Sequence, residues 1–385
     1  MDFELSHEQR VVKAAVRRFV DREIMPVIGE YDRTETFPKE VFVRFGREGL
    51  LGGPIPIKYG GGGLDYIAYA LLLEEIGRAS SSFRSAVSVQ VSLVALSILK
   101  WGTAEQIEKY LPRLCRGEML GCFGLTESGA GSDAAGVRTR AVREGERWVL
   151  SGSKTFITNG GVADLALVIA QTDPLMGHRG LAAFLVERQE SAFASMPITG
   201  KLGLRASDTA EIIFEGTDVP EKNLLGKVGE GFEVAMSALD QGRFSVAAGC
   251  VGTLEGCLKA SVDYARQRKQ FERPIGSFQL VQDMLARMKV DADAARFLVY
   301  RAALLKDKGI RDTLEVSIGK YFASEAAVRA ANDAVQLFGA SGYLDETPVA
   351  RYYRDAKAAT IYEGTSQIQK LIVGQDLTGF RAFAG

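Results

Sequence analysis

The chain has 385 residues, enough for roughly two to three domains with a substantial buried core. Its 47 Lys and Arg against 48 Asp and Glu leave a net charge of -1, which gives no support to a nucleic-acid partner or a membrane-surface role. The four cysteines, at 115, 122, 250 and 257, form no C-x-x-C pair, so neither a zinc site nor a disulfide framework is expected.

From the N-terminus, the acidic and polar start at Met1 to His7 lacks the pattern of a secretory leader. No later apolar run reaches membrane-spanning length on this reading, so no membrane span and a cytoplasmic location are expected. Ser6 and Gln9 have the spacing of a capping box, ahead of Val12, Val16, Phe19 and Val20 on one helical face. Helical spacing predicts further helices over residues 64–77, 83–101 and 104–115. Around Gly121 the pattern changes to short β-branched and aromatic runs at 147–150, 165–170, 181–186 and 211–215, separated by turn residues. No helices alternate with them, which argues for an antiparallel sandwich or barrel and against a doubly wound sheet. Helical patterns return over 232–268, 280–308, 312–339 and 349–362, long enough for a bundle. The expected class is α+β, with an N-terminal all-α domain (1–119), a middle β domain (120–228) and a C-terminal helical bundle (229–385).

Two nucleotide signatures fail. Gly129, Gly131 and Gly136 lack dinucleotide spacing and a βαβ setting, and Gly152 to Thr155 is an incomplete phosphate loop. His7 and His178 have no nucleophile-and-acid context. The polar, Gly- and Thr-rich loops at 123–133 and 154–161 suit a flat polar ring that needs in-plane hydrogen bonds, although either alone reads equally as tight turns. Glu363 stands before Gly364, a helix-ending residue, and before Ser366 and Gln369, spaced as a capping box. A carboxylate at such a helix-helix corner faces the negative end of a dipole, which raises its pKa if the site is dry and suits a proton-abstracting base. The same pattern also fits a solvated acid in a loop.

These loops, together with 268–279, Gln336 to Gly339, Arg354 to Lys357 and Ile361 to Ser366, resemble the flavin-dependent acyl-CoA dehydrogenases. The resemblance covers nearly the whole chain and its motifs occur in family order. It implies a helical domain, a β domain and a four-helix bundle in a homotetramer that binds FAD. In that frame Phe123 opens the loop in which Leu125 and Thr126 meet the pyrimidine side of the flavin, Thr158 reaches the N5 region and Phe156 packs nearby. Ser132 lies beside the cofactor and the pantetheine. Arg268, Gln270, Phe271, Gln279, Gln336 and Gly339 contact the FAD of a neighbouring subunit, and Thr365 and Gln367 contact FAD within or across the interface. Asp240, Arg243 and Gly364 lie on the substrate side.

Glu363 matches the catalytic base of most of the family. The rival position, on the bundle's first helix, is Gly242, which takes no proton. Ser128 stands where proline is usual and Glu272 where glycine is usual. The implied reaction is abstraction of the α-proton of an acyl thioester by Glu363 with hydride transfer from the β-carbon to flavin N5, giving a trans-2-enoyl-CoA. Electrons pass on to an electron-transfer flavoprotein or a similar acceptor. Residues 82–90 and 377–383 resemble the glutaryl-CoA dehydrogenase branch, in which the arginine matching Arg84 holds a distal carboxylate. The acid that usually accompanies it is replaced by Gly77, with Glu74 and Glu75 nearby, so the substrate is expected to be short-chain, branched or dicarboxylic. An oxygen-using oxidase and a catalytically silent assembly protein of the same fold are the competing readings.

Overall fold

A computed structural model describes residues 4–380 and 382. Met1 to Phe3, and the Arg381 and Phe383 positions of the C-terminal resemblance, lie outside the described residues. Helix α1 (His7–Phe19) opens on the expected capping box: Ser6 Oγ accepts from the Gln9 N–H at 3.1 Å and Gln9 Oε1 accepts from the Ser6 N–H at 2.9 Å. There follow α2 (Ile28–Arg33), α3 (Lys39–Arg47) and α4 (Tyr66–Ala79). Helix α5 (Ser81–Ser88), a π-helical stretch (Val89–Ala95) and α6 (Leu96–Trp101) form one continuous run, and α7 (Ala104–Cys115) completes the layer.

The expectation that no apolar run reaches membrane length needs correcting. The helical stretch Ser81–Trp101 has the length and hydropathy to span a bilayer, but 94% of its 18-residue apolar window is buried inside the protein. A helix that is apolar all round in this way is a core helix.

The strands are β1 (Gly121–Gly124), β2 (Arg140–Glu144), β3 (Arg147–Thr158), β4 (Leu165–Gln171), β5 (Leu181–Glu187), β6 (Ala194–Pro197), β7 (Thr209–Pro220) and β8 (Leu224–Leu225). They form one sheet in the order β6-β7-β3-β2-β4-β5-β8, with β1 paired to β4. Most pairs are antiparallel as expected, but β1 and β2 run parallel to β4. Parallel neighbours need a long connection, and residues 125–164 supply it for β1. Every residue of β4 and β5 is buried. Leu165, Leu167 and Ile169 pack with the helices around Tyr110 and Leu114, while Ala166, Val168 and Ala170 pack against Trp148, Phe184 and Phe214. A period of two thus serves two cores at once.

The C-terminal helical region contains α8 (Gly231–Gln267), a hairpin of β9 (Lys269–Gln270) and β10 (Arg273–Pro274), α9 (Gln279–Asp307), α10 (Thr313–Phe338), α11 (Pro348–Ala359) and α12 (Ser366–Thr378). Helices α4 and α8 meet backbone to backbone. A Cβ on Gly77 would stand 2.2 Å from Gly249 O, and one on Gly252 would stand 2.0 Å from Glu74 O. Only glycine allows that approach. It also explains why no acidic side chain stands at 77.

Candidate active site

Helix α11 stops at Ala359, short of the predicted Tyr362. The chain then makes a tight corner before α12, whose N-cap is Thr365: its Oγ1 accepts from the Ile368 N–H at 3.2 Å. The expected box of Ser366 and Gln369 does not form. Ser366 Oγ donates instead to Glu325 Oε1 at 2.6 Å, and Gln369 Nε2 turns back to the carbonyls of Glu363 (3.0 Å) and Gly364 (3.1 Å). Both residues of the corner are left-handed, with φ +56° at Glu363 and +83° at Gly364. A glutamate in that region is held there against its own preference and persists only where its surroundings over-determine it. Arg243 Nε donates to Glu363 O at 3.3 Å and Lys320 Nζ donates to Gly364 O at 2.7 Å.

The Glu363 carboxyl points at α8. Gly242 stands opposite, where a Cβ would lie 2.4 to 2.6 Å from both carboxylate oxygens and their carbon. Although the residue as a whole is only half-buried, Oε2 is shielded from solvent and has no hydrogen-bond partner among the described residues. Burial pushes the carboxyl up to about 7, against the opposing pull of Arg243, Arg84 and Lys320. A carboxylate of that basicity can take a proton near neutral pH.

Arg84, on α5, is buried at 3% exposure. Its stem crosses α8 at Gly249, where a Cβ would lie 2.5 Å from Arg84 Cδ. Its Nη2 donates to Tyr362 Oη, and the guanidinium lies 5.7 Å from the centre of that ring. The acids on α4 are committed elsewhere: Glu74 pairs with Arg296 at 2.6 Å, and Glu75 pairs with Arg17 at 2.8 Å and Arg78 at 3.1 Å. Hydroxyls line the same region, with Ser88 hydrogen-bonded to Ser245 and Ser85 Oγ 3.2 Å from Ser207 Oγ. Asp240 pairs with Arg243 at 2.8 Å and accepts from Thr313 Oγ1 at 2.9 Å. Arg243 therefore makes a structural ion pair and also grips the Glu363 carbonyl.

The loops expected to hold a flavin are fixed from beneath. Phe123 and Leu125 are buried in the core between helices and sheet. Leu125 O accepts from Lys154 Nζ at 3.2 Å, and Thr126 O accepts from the Thr155 N–H at 2.9 Å. Lys154 is fully buried and pairs with Glu127 at 2.7 Å, which also accepts from the Thr139 N–H at 2.9 Å and the Arg138 N–H at 2.8 Å. Phe156 is 68% exposed at φ +57°, an apolar shelf beside half-buried Thr158. Next to it Asn159 Nδ2 donates to Ala86 O at 3.3 Å and Gly121 O at 3.1 Å. Those bonds tie the end of β3 to α5, two residues beyond Arg84, and so join the loop to the Arg84–Tyr362–Glu363 cluster. Ser132 is exposed just after Gly131, and no atom would crowd a Cβ at Gly129 or Gly131. Fixed backbone groups, an exposed aromatic face and an open glycine loop fit a bound FAD.

A second group of the expected cofactor residues stands apart. Arg268, Gln270, Phe271, Gln279, Gln336, Gly339 and Gln367 are all exposed, while Thr365 is half-buried in its capping role. Phe271 is 87% exposed at φ +50°, and Glu272 follows at +63°. The left-handed Glu272 explains why glycine is usual there. Sequence reasoning missed Lys320, Lys154 and Glu127, and also the part played by Gln369.

Two helical regions packed on each other, and a β domain whose polar loop fits a flavin and is tied to a shielded, basic carboxyl, describe a flavin-dependent oxidoreductase. Family models agree along the length: acyl-CoA dehydrogenase N-terminal domain over residues 6–118, middle domain over 122–217 and C-terminal domain over 229–378. An acyl-CoA dehydrogenase of Bacillus subtilis is 45% identical, covering 97% of this chain and 99% of its own. A glutaryl-CoA dehydrogenase of Desulfococcus multivorans is 42% identical, covering 99% of both chains. Among solved structures, butyryl-CoA dehydrogenase from Megasphaera elsdenii superposes with TM-score 0.96 at 40% identity, covering 98% of this chain and 100% of that one. A glutaryl-CoA dehydrogenase from Mycobacterium smegmatis in complex with FADH2 gives 0.94 at 37%, covering 99% and 97%. A structure of the electron transferring flavoprotein of Acidaminococcus fermentans gives 0.97 at 42%, covering 98% and 100%. The chain belongs to the acyl-CoA dehydrogenase family, and is an FAD-dependent oxidoreductase that dehydrogenates acyl-CoA.

Proposed function

We propose that Glu363 abstracts the α-proton of a short acyl-CoA whose far end carries a carboxylate held by Arg84. The observation that supports the base is its Oε2, shielded and unpartnered against Gly242. The α-proton of a thioester is too weakly acidic for a carboxylate unless the carbonyl is polarised. The backbone N–H of Glu363 meets no acceptor among the described residues, and its two neighbouring carbonyls are pinned away by Arg243, Lys320 and Gln369. That amide is the donor this chain offers to the developing oxyanion. Leu125, Thr126, Phe156 and Thr158 hold the flavin, and Ser132 lies along the cofactor and thioester. Bound FAD supplies the acceptor for the β-hydride, which makes the product a trans-2-enoyl-CoA. An electron-transfer flavoprotein is the proposed oxidant of the reduced enzyme.

Arg84 carries the substrate reading. A buried guanidinium that hydrogen-bonds a phenol and has no paired carboxylate among the described residues is costly unless an anion joins it. A distal substrate carboxylate of glutaryl type meets that need. Gly77 favours the second reading, a short unbranched monocarboxylic acyl chain, because no protein acid stands ready to orient the arginine. The exposed hairpin at Arg268 to Phe271 and the Gln336–Gly339 corner are proposed to complete the FAD site of a second copy in a homotetramer. The test is anaerobic bleaching of the yellow protein by glutaryl-CoA and butyryl-CoA, before and after Arg84→Ala. Faster bleaching by glutaryl-CoA, lost by about 10²-fold in the variant, supports the dicarboxylic reading. Equal bleaching by both thioesters, unaffected by Arg84→Ala, removes it. Rapid peroxide formation in air would point to the oxidase reading instead.

A further inference from the structure

Lys320 lies in the middle of α10, fully buried, with Ser317, Ala323 and Ser324 also buried around it on the helix. Its Nζ donates to Gly364 O at 2.7 Å, and among the described residues no carboxylate stands in ion-pair contact with it. A lysine in such a place pays the full desolvation cost of its charge for one carbonyl. The energetic return comes from the turn it grips, because Gly364 follows the left-handed Glu363.

We propose that Lys320 is a positioning residue for Glu363: through the Gly364 carbonyl it holds the left-handed turn that aims the carboxyl at substrate, and it places a cation beside that carboxylate. The inference rests on Glu363 being the base. The other groups facing Glu363 are Arg243 from α8, Arg84 from α5 and Tyr362 from the turn itself, with Cys250 of α8 behind them. Lys320 is itself faced by Cys250, Glu363, Arg243 and, along α10, Glu325. Arg243 shares its charge with Asp240 at 2.8 Å, and Glu325 is engaged by Ser366 Oγ at 2.6 Å. The lysine charge thus acts on Glu363 without a bonded carboxylate of its own. It opposes the burial that drives Glu363 upward, keeping more of the base ionised near neutral pH.

Gln369 separates the two effects. It donates to the same turn, at 3.0 Å to Glu363 O and 3.1 Å to Gly364 O, but carries no charge. The experiment is the pH profile of anaerobic flavin reduction by glutaryl-CoA and by butyryl-CoA, using FAD-loaded wild type, Lys320→Met and Gln369→Leu. Lys320→Met is expected to lower the plateau rate and to move the acidic limb to higher pH by about one unit. Gln369→Leu is expected to lower the plateau and leave the limb in place. A limb in Lys320→Met that coincides with wild type overturns the proposal, whatever happens to the plateau. If Lys320→Met does not retain flavin, Lys320→Gln, which also removes the charge, is read by the same criteria. Normal reduction by Glu363→Gln would overturn the base assignment itself. An inactive Glu363→Gln with an unshifted Lys320→Met limb overturns only the role of the lysine.

Discussion

Gly242 and Glu363 fit as seat and occupant: a Cβ on the glycine would stand 2.4 Å from the glutamate Oε2 and 2.5 Å from Oε1. Helix α8 thus yields side-chain volume at the point where α11 and α12 deliver a carboxyl. Gly242→Ala must push Glu363 aside, since neither the α8 backbone nor the pinned turn gives way cheaply. The expected outcome is retention of FAD with a loss of about 10²-fold in flavin reduction by acyl-CoA, the scale of an ångström misplacement at a reacting group. Stopped-flow reduction checks it, and a wild-type rate would show that the seat is slack.

The basicity of Glu363 sets a pH dependence. Burial raises its carboxyl to about 7, and only the ionised form accepts a proton. The reduction rate should therefore rise with pH through about 7 and fall roughly tenfold per unit below it. Stability runs the other way. The folded protein holds a proton that the unfolded chain releases near 4.5, so this group's contribution to stability is lost as pH rises from 4.5 through about 7. Glu363→Gln removes that burden. It should melt a few degrees above wild type at about pH 8 and show little difference near pH 5.

Gly249 serves Arg84 as Gly242 serves Glu363, since a Cβ there would lie 2.5 Å from Arg84 Cδ and 2.7 Å from its Nε. Gly249→Ala should displace the guanidinium from Tyr362 and raise the KM for glutaryl-CoA about tenfold or more, with a smaller change for butyryl-CoA. Steady-state kinetics with the two thioesters check it. Equal changes for both would mean that the glycine serves only the contact of α8 with α4.

Lys154 and Glu127 hold the loop proposed to carry the flavin from inside the β domain. Burial lowers the Lys154 ammonium to about 8, and Glu127 opposes that fall. Glu127→Ala leaves this cation buried without its partner, a loss on the order of 3 kcal/mol or more, and frees Leu125 and Thr126 from a fixed platform. The variant should purify with depleted FAD and a lower melting temperature. Glu127→Gln should keep more flavin, because an amide still accepts from the lysine.

The fold was largely legible because its patterns are local. The capping box at Ser6 and the helix at 104–115 stand where the sequence places them. The strand at 147–150 was read too short, because Ser151 to Thr158 carries polar and glycine residues whose place is fixed by pairing with β7 rather than by hydropathy. The span-like hydropathy of Ser81–Trp101 also went unread, since the α5–α6 run owes its apolar surface to burial on all sides. At the site, Glu363 was visible as a helix-corner acid and Gly242 as a position without a base. That the two touch was not visible, because the contact joins residues on α8 to a turn beyond α11. Lys320 and Gln369 were hidden for the same reason: what they hold is a backbone carbonyl, which has no sequence signature.

The central claim is that the carboxylate of Glu363 removes the substrate proton. The most direct measurement is anaerobic reduction of Glu363→Gln, loaded with FAD, by glutaryl-CoA and butyryl-CoA. The account predicts a yellow protein that still binds the thioester, seen as a perturbed flavin spectrum, and fails to bleach, with a rate at least 10³-fold below wild type. Bleaching at the wild-type rate would contradict it.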